Sequence, residues 1–177
     1  PGDTAGVDAT GSSFQIQGSF GAQTFLPDGS GQNYTTDINI SGFPAGLTLQ
    51  NAGDLEQVCV SMEHSYLGDL EMMLTCPNGS SVMIFNSYDG FGGGELFPGG
   101  FSGGTTYLGG ANDASSAVGT CEEYCFSELP GALPSWDNGY NTVVAGTPAS
   151  ASIVPGAYNP EGSYTTDLAG CPLNGAW

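Results

Sequence analysis

Helical periodicity is almost absent from this chain, because turn residues interrupt nearly every segment before an amphipathic helix could complete three turns. What recurs instead are short alternating or β-rich runs. The clearest are Phe14-Gln15-Ile16-Gln17, Asp37-Ile38-Asn39-Ile40, Val58-Cys59-Val60-Ser61-Met62, Leu70-Glu71-Met72-Met73-Leu74, Val82-Met83-Ile84-Phe85 and Asn141-Thr142-Val143-Val144. Turn-residue clusters separate them, and that pattern predicts an all-β sandwich. The Met72-Met73-Leu74 run alternates least, which predicts an inner strand covered on both faces. Gly90 to Gly110 reads as a long Gly-rich loop anchored by Phe91, Phe97, Phe101 and Tyr107, and Thr147 to Pro155 as a second loop.

The 177 residues suit one domain with a proper core, and a hydrophobic share of 39% is too high for a disordered acidic tail. The chain has no Lys or Arg and a formal charge of −18. Phosphate backbones and anionic lipid surfaces are bound through Lys and Arg, so neither nucleic acid nor a membrane surface is expected as a partner. No apolar run approaches the ~20 residues of a membrane span. The acids must be solvated, accept hydrogen bonds or hold a hard cation, and calcium is the cation that suits oxygen ligands. Asp28, Asp69, Asp89, Glu95 and Asp113 are the candidate calcium ligands, most of them beside Gly or Asn, although none falls in an EF-hand spacing.

Five cysteines, Cys59, Cys76, Cys121, Cys125 and Cys171, leave at least one without an intrachain partner. Cys121 and Cys125 have the spacing C-x3-C, but no His or second Cys pair completes a zinc site. Disulfides in an exported protein explain the set better. Two bridges and a spare thiol can be drawn in fifteen ways, three pairings for each choice of the odd cysteine.

The chemistry-bearing motifs are few. Gly100-Phe101-Ser102-Gly103-Gly104 matches G-x-S-x-G, yet it lacks the following helix that a nucleophile elbow needs. His64 is the only histidine, so any triad must use it. Ser65, the nearest hydroxyl, points to the opposite strand face. A structural histidine is the favoured reading of His64, and a hydrolase built on His64 and Ser102 the least favoured. Phe101, Trp136 and Tyr140 are candidate aromatic platforms for stacking on sugars, which would make the chain a calcium-dependent carbohydrate-binding or adhesion jelly roll. The same rings are equally explained as anchors packed on the sandwich. Asn33, Asn39 and Asn78 head glycosylation sequons.

The central string carries a resemblance. His64-Ser65-Tyr66-Leu67-Gly68-Asp69-Leu70-Glu71 reads as a strand, a turn pinned by a positive φ at Gly68, and a second strand, with His64 and Asp69 at opposite ends of one hairpin connection. Leu74-Thr75-Cys76-Pro77-Asn78-Gly79-Ser80 then adds a Pro-Asn-Gly hairpin turn. It resembles the core of the P domain, or Homo B domain, of kexin- and furin-like proprotein convertases. Phe25-Leu26-Pro27-Asp28 is similar to that family's opening, and Asn174-Gly175-Ala176-Trp177 to the segment leading into its closing strands. The cysteine pattern looks like the version found in large surface proteins of Bacteroidetes, which often carry a type IX secretion signal.

The resemblance implies a jelly-roll sandwich over residues 24–177, with 1–23 a leading strand or linker and the closing strands beyond Trp177. It implies a non-catalytic module, with His64, Gly68 and Asp69 as structural residues. The module would stabilise or position neighbouring domains of a secreted or cell-surface protein, such as a subtilisin-like serine endopeptidase or an adhesin. On this reading, residues 1–177 expressed alone are expected to be poorly soluble.

Overall fold

The computed structural model describes residues 4–7, 14–17, 26, 33–87, 96–97, 101–102, 106–110, 119–136, 144–147 and 150–177. These are mostly β, arranged as several small sheets with no closed barrel among the described residues. The described helical segments are two 3-10 turns, Ala52–Asp54 and Leu67–Asp69, the short α-helix α1 (Tyr164–Asp167), and Trp136, which is itself helical. Ser163 caps α1 by accepting the Thr166 N–H.

An antiparallel hairpin joins β1 (Thr4–Val7) to β2 (Phe14–Gln17). The first core sheet contains β4 (Val58–Met62), β10 (Glu122–Phe126) and β13 (Gly156–Tyr158) in the order β13-β10-β4. β10 runs antiparallel to β4 and parallel to β13. Alternation along β4 turns Val58, Val60 and Met62 inward and leaves Cys59 and Ser61 exposed, as a half-buried strand requires. β10 turns Tyr124 and Phe126 into the core from the same side.

A second sheet is the hairpin of β5 (Glu71–Thr75) and β6 (Ser81–Asn86). Its turn is the expected one: Gly79 has φ 91°, the Gly79 N–H donates to Cys76 O (2.8 Å), and Asn78 Oδ1 accepts the Ser80 N–H (2.9 Å). The register shifts by one residue between Met72, opposite Phe85, and Met73, opposite Met83. The extra residue on β6 is Ile84. Such a bulge resets the alternation, so Val82 and Ile84 and then Phe85 all point inward.

Three expectations for this region need correction. β4 and β5 do not form one hairpin, because each pairs with a strand of a different sheet. Gly68 is not among the glycines with positive φ; it lies buried within the 3-10 turn. β5 is not covered on both faces: it alternates cleanly, and Met73 is 51% exposed.

A third sheet orders β11 (Val144–Thr147), β12 (Ser150–Ile153) and β9 (Thr106–Tyr107), so the segment read as a second loop contains a strand. The Gly-rich stretch likewise holds β9 and the pair β7 (Leu96–Phe97) and β8 (Phe101–Ser102). The last pair joins β3 (Asn39–Ile40) to β14 (Gly175–Ala176). Around it a longer ribbon forms: Ile38 and Trp177 exchange main-chain bonds, Leu173 N donates to Leu47 O, and Leu49 N donates to Cys171 O (2.8 Å). Asn174 completes it with a two-point clamp, its Oδ1 accepting Phe43 N–H (3.0 Å) and its Nδ2 donating to Phe43 O (2.9 Å).

Candidate functional site

Residues 63–70 carry the chain from β4 across to β5, and main-chain bonds fix His64, Tyr66 and Leu70 along the way. His64 exchanges both main-chain bonds with Leu108, 3.1 and 2.8 Å, just past β9. Its Nδ1 accepts the Tyr66 N–H (3.1 Å), which folds the chain back on itself. Asp69 N then donates to Tyr66 O and Leu70 N to Leu67 O, closing the 3-10 turn. The turn drives Leu67 fully into the core and Leu70 nearly so, and Leu70 O accepts Ser87 N–H at the end of β6. The motif string is therefore a corner joining two sheets, with its leucines as anchors and Asp69 at the surface.

A close approach of glycines supports the corner. Gly110 pairs with Thr120, and the Glu63 carboxylate accepts the Gly119 N–H (3.3 Å). Gly109 has φ 60°, and a Cβ there would collide with the Thr120 carbonyl oxygen. Its N–H donates to Tyr124 Oη (2.7 Å), tying the corner to the core of β10. The adjacent Gly109-Gly110 pair was the sequence signal for this contact, which the reading of the whole stretch as a loop passed over.

The centre of the molecule is aromatic. Trp136 lies 4.6 Å from Phe85, 5.3 Å from Phe126, 5.8 Å from Tyr124 and 5.9 Å from Tyr158, centroid to centroid. Most of these contacts are edge-on or tilted, as ring quadrupoles favour. Burial pushes the Tyr158 hydroxyl up to about 12, with Tyr124 adding to the effect. Burial also raises Tyr124, against the lowering bond from Gly109 and with a further push from Glu122. Tyr164 is raised by burial and then by Glu128. The three phenols stay protonated and act as donors to the carbonyls of Val154, Ile153 and Phe126.

Trp136 is thus a core residue at 1% exposure, which corrects its reading as a platform open to sugars. Phe101 sits in β8 opposite Phe97, and Tyr140 lies outside the described residues. Of the candidate calcium ligands, Asp28, Asp89, Glu95 and Asp113 lie outside the described residues. Asp69 is exposed on its turn, and among the described residues no three His, Cys, Asp or Glu side chains converge.

The cysteines resolve into Cys59–Cys125 and Cys76–Cys171, with Cys121 exposed and unbridged. Two disulfides indicate an oxidising, extracytoplasmic environment. Among the described residues no helix is long and apolar enough to cross a membrane. No protein-family model, curated protein or solved structure matches the chain.

Proposed function

We propose that this chain is a P-domain-like interaction and stabilisation module of a larger secreted or cell-surface protein, without catalytic chemistry of its own. Its small sheets would be parts of one jelly-roll sandwich, with loop acids holding calcium. The neighbouring domain would be a subtilisin-like protease or an adhesive unit. The observation that carries this reading is the use to which the motif string is put. His64 spends its main chain on Leu108 and its Nδ1 on Tyr66, and Leu67 and Leu70 anchor the corner between sheets. These are the residues on which the P-domain resemblance rests, and their bonds here serve architecture.

The test compares the intact polypeptide with a version lacking residues 24–177. The neighbouring domain should lose activity at elevated temperature several times faster without the module. Equal half-lives would remove the stabilising role. Hydrolytic turnover by residues 1–177 alone, abolished in His64→Ala, would replace the proposal with a hydrolase.

A further inference from the structure

The two disulfides occupy opposite environments. Cys76 and Cys171 are 3% and 0% exposed, inside the core cluster. Both ends are also held by the main chain: Cys76 N–H donates to Ser80 O (2.7 Å) across the hairpin turn, and Cys171 O accepts the Leu49 N–H. Cys59 and Cys125 instead face each other on adjacent strands with Cα atoms 4.0 Å apart. Cys59 lies on the outward face of β4, exposed to solvent, and Cys125 is half-buried.

We propose that Cys59–Cys125 is a reversible redox site for thiol reagents, and that Cys76–Cys171 is a permanent staple. Thiol–disulfide exchange needs a thiolate to reach one of the bridged sulfurs, so exposed bridges are the labile ones. In the step, a thiolate of an external dithiol attacks Sγ of Cys59 or Cys125. The S–S bond breaks, the other cysteine leaves as thiolate, and a mixed disulfide forms. The reagent's second thiolate then displaces the protein sulfur. The reagent is oxidised to its disulfide, and the protein gains two electrons and takes up two protons.

The fold also directs the return. Five residue pairs hold β4 to β10 without the bridge, so the two sulfurs stay opposite each other after reduction. Cys121 cannot take Cys125 as a partner while β10 is extended. Four strand residues span about 13 Å, whereas a disulfide needs Cα atoms within about 7 Å. The charge of −18 should further disfavour anionic reductants, making an uncharged dithiol faster than glutathione.

The full chain is treated with increasing dithiothreitol in native buffer, quenched with iodoacetamide and mapped by mass spectrometry. Glu-specific protease and chymotrypsin are used, because trypsin has no site in this sequence. Cys121 should label without reductant. Cys59 and Cys125 should label together at dithiothreitol concentrations at least ~10-fold below those that release Cys76 and Cys171, and oxidised glutathione should restore the bridge. A Cys59→Ser/Cys125→Ser protein should melt cooperatively, a few degrees lower. Release of all four cysteines together, or of Cys76 and Cys171 first, would overturn the assignment. So would loss of cooperative melting in the double variant.

Discussion

Trp136→Ala should be among the most damaging single substitutions in this protein. The indole is 1% exposed and touches rings from β6, β10 and β13. Truncating a buried Trp costs about 3–5 kcal/mol in transfer and cavity terms. Each well-placed ring pair adds about 0.5–1.5 kcal/mol beyond area, which favours the upper half of that range. A domain with a stability of roughly 5–15 kcal/mol would lose about a quarter or more of it. At about 2–4 °C per kcal/mol, Tm should drop by roughly 10 °C or more. Trp136→Phe makes the argument sharper. Trp136 Nε1 is buried with no hydrogen-bond partner among the described residues. Phenylalanine keeps a ring in place and removes a donor whose unpaired burial costs about 1–3 kcal/mol. That gain offsets much of the lost volume, so Trp136→Phe should cost no more than ~1.5 kcal/mol. Urea unfolding followed by circular dichroism and by the fluorescence of the remaining Trp177 measures both variants. A loss below ~1 kcal/mol for Trp136→Ala would refute the burial argument. Equal losses for the two variants would refute the account of the unpaired N–H.

The contribution of the buried tyrosines to stability should be level up to the ordinary tyrosine range near pH 10 and fall from there towards pH 12. The folded protein holds Tyr158 protonated up to about 12 while the unfolded chain releases its proton sooner, so rising pH favours unfolding. Urea midpoints taken rapidly at pH 9 and 11 check this, and Tyr158→Phe should flatten the decline; equal midpoints in the wild type would contradict it. Asn174→Ala should cost about 1–3 kcal/mol, the net worth of the two hydrogen bonds it removes from the Phe43 main chain. It should raise amide exchange in 38–49 ahead of the hairpin at 71–86, and uniform exchange would count against the clamp. Calcium should raise Tm more than magnesium does, since a ligand bound only to the folded state stabilises it; identical melting with calcium and with chelator would remove the metal.

Local pattern was enough to locate several strands. Val58 to Met62 alternates and forms β4 over those same residues, and Pro77-Asn78-Gly79 closes the hairpin it was expected to close. Both depend on neighbours within a few residues: alternation on one strand, and a glycine able to adopt φ 91° at one turn. The absence of Lys and Arg likewise settled, without coordinates, that no ion pair with those side chains holds this chain together. Partner choice was not legible, because it depends on contacts between segments distant in sequence. β4 and β5 looked like one hairpin because they are adjacent in the chain, yet β4 pairs with β10 some sixty residues on. Five cysteines allowed fifteen pairings until strand register set Cys59 opposite Cys125 and the 38–49 ribbon brought Cys171 beside Cys76. Trp136 has the same side chain whether it stacks on a sugar or fills a core. Only the convergence of Phe85, Tyr124, Phe126 and Tyr158 from three strands decided that it is buried.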